Sequence, residues 1–186
     1  TGGPYAGDFL RVLKNGEELG LKHMEYAYQE GEGGIAQALS LAKDFAAGES
    51  LAVILGDNTT DADISRDVEN FNDGALIFLK KVPDPERFGV PSFNKKGDIT
   101  DVQEKPKNPK SSYAVTGLYI YDETVFGKIE KLNPSGRGEL EITDVNNLYL
   151  KENKLRWTEL RGFWRDAGTI ETLFEASQYW QKKSNG

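Results

Sequence analysis

Leu51-Ala52-Val53-Ile54-Leu55-Gly56-Asp57-Asn58 is the stretch that decides the fold. Its unbroken apolar run reads as a short strand buried on both faces, and Gly56-Asp57 then sets a carboxylate at the strand's carboxyl end. Open α/β sheets bind their ligands at that position. Before the run, Ile35, Ala38, Leu39, Ala42 and Phe45 recur at helical spacing, and Gly48 closes the element. After it, a short helix near 64–71 leads into a strand over 75–82. Such alternation argues for α/β layering.

Further out, strands are expected over 90–93, 99–104 and 113–121, with Asn94 to Asp98 as a hairpin connection. Helices are expected over 123–129 and 142–151. A last helix should follow Thr169, a good N-cap, with Ile170, Leu173, Phe174 and Ser177 on one side. Toward the amino end, the pattern predicts a helix over 5–13 opened by Pro4, and a strand over 21–28. Thr1-Gly2-Gly3-Pro4 reads as the end of a strand entering a turn, so the chain is expected to begin partway through a fold. With no repeat or linker, one domain over 1–186 with a mixed sheet is the expectation.

Composition narrows the chemistry. The 186 residues are 38% hydrophobic and 28% charged, the make-up of an ordinary globular protein. A net charge of −7 argues against a nucleic-acid partner but leaves room for a small phosphorylated ligand. With no cysteine and one histidine, His23, thiolate catalysis and the usual zinc sites are excluded. Any metal should be a hard cation on carboxylates, such as magnesium. No apolar run is long enough to cross a bilayer and no signal peptide is evident, so the default expectation is a cytoplasmic protein without a membrane partner.

Four constellations carry chemistry. Gln29-Glu30-Gly31-Glu32-Gly33-Gly34 is either a flexible connection or a loop whose backbone approaches a flat ligand, with Gln29 facing a base edge. Asp57 caps a turn or holds a cation that bridges phosphates. Glu104-Lys105-Pro106 is a solvated turn, or a pair that binds a sugar hydroxyl and a phosphate. Trp164-Arg165-Asp166-Ala167-Gly168-Thr169 is an aromatic anchor before a helix start, or the source of a second metal carboxylate. Asp61-Ala62-Asp63 has the spacing of a glycosyltransferase metal motif, but it lies beyond the strand end.

Taken in order, these segments resemble the sugar-1-phosphate nucleotidyltransferases, and among them the glucose-1-phosphate thymidylyltransferases. Arg87-Phe88-Gly89-Val90, Tyr113-Ala114-Val115-Thr116-Gly117-Leu118-Tyr119 and the run Gly136-Arg137-Gly138-Glu139-Leu140-Glu141-Ile142-Thr143-Asp144-Val145-Asn146 extend the likeness almost end to end. The resemblance implies a Rossmann-like nucleotidyltransferase fold, a mixed sheet with helices on both faces and a small β-rich sugar-binding part. It implies transfer of a thymidylyl group from dTTP, or uridylyl from UTP, to glucose 1-phosphate with Mg2+. That reaction would supply nucleotide sugars for polysaccharide synthesis.

By resemblance, Asp57 and Asp166 bind the metal and, with Lys105, carry catalysis. Gln29, Gly34 and Asp57 bind the nucleotide. Gly89, Glu104, Lys105 and Val115 line the sugar site, with Arg137 and Glu139 as further contacts. Homo-oligomers are compatible with this reading. The sequence departs from the family at Arg165 and Ala167, at Thr59 and Thr60, and at Phe88. The family's Gly-x-Gly-Thr-Arg loop has no counterpart here, so the 186-residue chain alone is expected to turn over negligibly. The rival expectation is a nucleotide-sugar binding domain without catalysis.

Overall fold

A computed structural model describes Gly3 and residues 6–185. The reading of Thr1-Gly2-Gly3-Pro4 therefore lies, but for Gly3, outside the described residues. The chain divides into two compact units, one formed by 1–49 with 123–145 and the other by 50–122 with 146–186.

The first unit is helical. It holds α1 (Ala6–Leu13), α2 (Ile35–Ser40), α3 (Lys43–Ala46), α5 (Val125–Ile129) and the first turn of α6 (Ile142–Lys151). The helix expected over 35–45 is broken after Ser40, where the Ser40 hydroxyl donates to the Gln37 carbonyl and competes with the helical ladder. Left-handed Ala47 and Gly48 then end α3. The strand expected over 21–28 does not form. Alternation makes a strand only where a ladder forms, and among the described residues 21–28 take part in none of the strands. Instead the Tyr26 hydroxyl donates to the Lys14 carbonyl over 2.6 Å, and His23 stacks on Phe45.

The second unit is built on a mixed sheet. β1 (Leu51–Ile54), β3 (Ala75–Lys81), β6 (Tyr113–Tyr121) and β7 (Leu155–Glu159) take the order β1-β6-β3-β7. Only the β3–β7 pair is parallel. β6 supplies the core: its last eight residues are all buried. Among the described residues β1 stands at one end of this order, and its side chains alternate between half-buried and exposed. The strand expected over 51–55 forms, but among the described residues it is half-buried rather than buried on both faces. Phe78, Leu118, Ile120, Leu160 and Trp164 form one core cluster.

Two smaller ladders complete this unit: β2 (Asn58–Thr60) with β8 (Trp164–Asp166), and β4 (Gly89–Phe93) with β5 (Ile99–Glu104). α4 (Ser65–Glu69) and α7 (Ile170–Ser184) finish it. Thr169 caps α7 as expected, in a reciprocal pair with Thr172. The apolar side of α7 does not face a core, since Ile170, Leu173 and Phe174 are exposed while Thr172 and Ala176 are buried. No helix among the described residues is long and apolar enough to cross a membrane.

Candidate functional site

In the second unit, Asp57 lies in the turn between β1 and β2. The Leu55 amide donates to the Gly117 carbonyl over 2.8 Å, and the Asn58 amide closes the turn on Leu55. The β2–β8 register sets Asn58 opposite Asp166, and the Ala167 amide donates to the Asp57 carbonyl over 2.6 Å. Asn58, which sequence reasoning passed over, is the hub of this corner. Its amide nitrogen donates to Asp57 Oδ1 over 2.8 Å, and its Oδ1 accepts from the Gly117 amide and the Trp164 indole. A Cβ at Gly117 would lie 2.4 Å from Asn58 Nδ2, so any larger residue there would push the Asn58 side chain out of this place. Thr116, one residue earlier, donates to the Phe78 carbonyl at a register shift in the β3–β6 ladder.

Asp57 and Asp166 converge. A Cβ added at Gly168 would lie 3.3 Å from Asp57 Oδ2 and 3.7 Å from Asp166 Oδ2, so glycine leaves open the space that both oxygens approach. Asp166 is buried. Its Oδ2 accepts from Arg87 Nη2 over 2.7 Å, while its buried Oδ1 has no hydrogen-bond partner. Two convergent carboxylates, one with an orphaned oxygen, suit a hard divalent cation. The residues present fit the magnesium that the sequence implied.

The β4–β5 hairpin brings the sugar-side residues to this same unit. Gly89 pairs with Glu104, and the Lys105 amide donates to the Phe88 carbonyl over 3.0 Å. Lys105 has a left-handed backbone, φ 43°, a strained conformation for a side chain of that size. Val115, Gly117 and Tyr119 share one face of β6 by the two-residue period. Val115 and Tyr119 are buried. Burial pushes the Tyr119 hydroxyl pKa well up, and the Glu104 and Asp57 carboxylates push it further. Tyr119 thus stands within electrostatic reach of both the sugar-side and the metal-side carboxylate, a role that its apolar surroundings in the sequence hid.

The three departures from the family pattern have partners here. Arg165 pairs with Glu175 at 2.8 Å and approaches Asp84 at 3.5 Å. Thr59 accepts from the Trp180 indole, and Thr60 donates to the Phe163 carbonyl. Phe88 packs edge-on against Trp164. Burial works to raise the Asp84 pKa, but the Arg87 and Arg165 guanidiniums outweigh it and hold the carboxyl below its usual range.

The carboxylates of Asp61-Ala62-Asp63 are committed elsewhere. Asp61 accepts from the Phe163 amide, the Tyr179 hydroxyl and Lys183 Nζ, tying α7 to the turn before β8. Asp63 accepts from the Ser65 amide at the start of α4. The glycosyltransferase motif reading loses its ligands.

In the first unit, the glycine-rich loop and the 137–141 segment hold each other. Leu140 donates to the Gly33 carbonyl over 2.8 Å and accepts from the Ala36 amide. Gly34 has φ 90°, and a Cβ there would lie 2.6 Å from the Leu140 carbonyl oxygen. The Gln29 side-chain amide donates to the Gly34 carbonyl and to Gln37. Arg137 grips Glu141 through two nitrogens, at 3.1 and 3.0 Å, and Glu139 at 2.9 Å. Ser135 adds a third donor to Glu141. Gln29, Gly34, Arg137 and Glu139 thus share this unit, and Asp57, Gly89, Glu104, Lys105, Val115 and Asp166 share the other.

A family profile described as nucleotidyl transferase matches residues 5–183. A glucose-1-phosphate thymidylyltransferase of Neisseria meningitidis serogroup A is 39% identical over 183 residues, 95% of this chain and 63% of the relative. That of Xanthomonas campestris pv. campestris is 41% identical over 177 residues, 92% of this chain and 60% of the relative. This chain therefore spans about three fifths of the length of the curated relatives it matches. A crystal structure of a Bacillus anthracis protein, described as a glucose-1-phosphate thymidylyltransferase in complex with sucrose, superposes with a TM-score of 0.86 at 49% identity. It covers 93% of this chain and 71% of that one.

Proposed function

This chain belongs to the nucleotidyl transferase family, and from that premise we propose that the protein carrying it makes dTDP-glucose from dTTP and glucose 1-phosphate. The observation that carries the proposal is the convergence of Asp57 and Asp166 on the gap at Gly168, in the same unit as the Glu104–Lys105 hairpin. In the reaction, an oxygen of the sugar phosphate forms a bond to the α-phosphorus, and the bond to the departing pyrophosphate breaks. Positioning and charge neutralisation do most of the work in such a transfer.

Asp57 and Asp166 would hold the divalent cation, which neutralises phosphate charge and makes the α-phosphorus more electrophilic. Glu104 accepts hydrogen bonds from sugar hydroxyls. Lys105, at the end of β5, offers its ammonium to the sugar phosphate. Val115 packs against the ring, and Gly89 lets the backbone approach it. Gln29 and Gly34 take the base. Thymine and uracil differ by one methyl, worth about 1–3 kcal/mol, so uridylyl transfer is expected as a slower side reaction. Nucleoside triphosphates and magnesium are plentiful in the cytoplasm, which is where this reading puts the protein. Nothing in the geometry favours the non-catalytic binding domain.

Pyrophosphate release tests the reading, with dTTP or UTP, glucose 1-phosphate and magnesium, and with EDTA as control. Release that needs dTTP, sugar phosphate and metal together supports it. Release that ignores the sugar phosphate, or survives EDTA, would sink it.

A further inference from the structure

Arg87 already holds one of the two carboxylates that converge at Gly168. Its Nη2 donates to Asp166 Oδ2 over 2.7 Å, and that oxygen is the one lying 3.7 Å from the point at Gly168 that Asp57 also approaches. Its Nη1 donates to Asp84 Oδ2 over 2.8 Å, so one guanidinium bridges two carboxylates. The Asp166 side chain is only 9% exposed, and a carboxylate so buried is costly without a counter-charge. The guanidinium is also fixed in place. It packs 5.1 Å over the Phe88 ring, and Phe88 packs on Trp164, two residues before Asp166.

A fixed cation beside two carboxylates makes a poor trap for a bare metal ion. Among the described residues no cluster of three or more metal-ligating side chains occurs, so a free ion would find only Asp57 and Asp166. It would also meet the positive charge of Arg87 within a few ångströms. A metal that arrives bound to a triphosphate brings negative charge and further oxygens with it, and so escapes most of that penalty. We propose that Arg87 is the resident counter-charge of the carboxylate pair. It holds Asp166 in place and keeps the site from retaining a free divalent cation, so that the metal enters with the nucleotide. The inference rests on the transfer reading above for its purpose, but its test needs no nucleotide.

The test is a titration of the 186-residue chain with MnCl2 alone, with free Mn2+ counted by electron paramagnetic resonance. The unmodified chain should bind weakly. Arg87→Met should bind about fivefold more tightly or better, because like charges at this range cost affinity even in a well-screened site. Arg87→Lys keeps the charge and should stay near the unmodified value. Adding Asp166→Asn to Arg87→Met should erase the gain. Should Arg87→Met lose its cooperative thermal melt, Arg87→Gln, which keeps a donor for Asp166, takes its place with the same expected gain. A neutral variant that melts normally yet binds Mn2+ no more tightly than the unmodified chain overturns the proposal and makes Arg87 a brace only. That result would leave the transfer reading intact if dTTP-dependent pyrophosphate release is present. The converse, tighter Mn2+ binding by Arg87→Met with no dTTP-dependent release from the whole protein that carries this chain, would uphold the counter-charge and remove the transfer.

Discussion

The glycine-rich loop of the first unit and the carboxylate corner of the second use their polar side chains in opposite ways. In the loop, Arg137, Glu139 and Glu141 spend hydrogen bonds on one another, and the Gln29 side-chain nitrogen spends its own on Gly34 and Gln37. The donors and acceptors there hold a shape, and the backbone of Gly33 and Gly34 is what the shape presents. In the carboxylate corner, Asn58 and Arg87 take up the holding, and Asp166 keeps an oxygen with no partner. Side chains that are fully paired inside the protein build a scaffold. A buried polar atom left unpaired costs stability and points to something absent from the chain itself.

Substitutions can break or sharpen this contrast. The largest expected effect is on Asp57→Asn or Asp166→Asn, each of which should lower the rate of pyrophosphate release about a hundredfold to a thousandfold. Steady-state kinetics of the protein carrying this chain would measure it, and a variant that keeps a tenth of the rate would remove that carboxylate from the metal site. Next comes Gly34→Ala, which adds a Cβ 2.6 Å from the Leu140 oxygen at φ 90°. It should cost about 2–3 kcal/mol in urea unfolding, through overpacking and backbone strain. A neutral result would mean that the loop has room to relax.

Arg137→Met strips the charge partner from Glu141, whose side chain is only 10% exposed. Arg137 itself is 40% exposed, so solvent screening holds the expected loss to about 1 kcal/mol. Its KM for glucose 1-phosphate should barely move if Arg137 is a clasp. A tenfold rise with unchanged stability would restore the sugar-contact role that the sequence suggested.

The smallest effect is expected at the latch of α7. Hydrogen bonds from Lys183 first, then Tyr179 and the Phe163 amide, hold the Asp61 carboxyl well below its usual range. A folded-state pKa that is depressed contributes stability above the unfolded value, and that contribution is lost as pH falls. The difference in melting temperature between the native sequence and Asp61→Asn should therefore be full near neutrality. It should shrink once the pH drops below about 4, the ordinary aspartate value. A difference that holds steady to pH 3 would assign the effect to packing rather than charge.

Much of this was legible beforehand, because it depends on neighbours in the chain. The helix capped by Thr169, the β4–β5 hairpin and the buried strand over 113–121 all follow from local periodicity and turn chemistry. The expected strand over 21–28 failed, and β2 and β8 went unseen, for one shared reason. A three-residue strand such as Asn58–Thr60 exists only because Trp164–Asp166 lies beside it, and a good alternating pattern without such a neighbour stays a loop. The apolar run over 51–55 gave the right strand but a half-buried one among the described residues, since burial depends on what packs against a strand and not on its composition.

The sequence by itself determined the α/β alternation, the absence of cysteine ligands from this chain, and the likeness to the nucleotidyl transferase family. Residue type and short-range spacing carry that information. Only the tertiary structure decided which polar side chains act outward and which are spent inward. Asn58 meets Gly117 and Trp164, and Arg87 meets Asp166, through contacts between residues 59 to 106 positions apart. Such contacts follow from strand order and register, which no local pattern encodes. The same side chain can therefore be a fully bonded latch at Asp61 and a buried carboxylate with an open oxygen at Asp166.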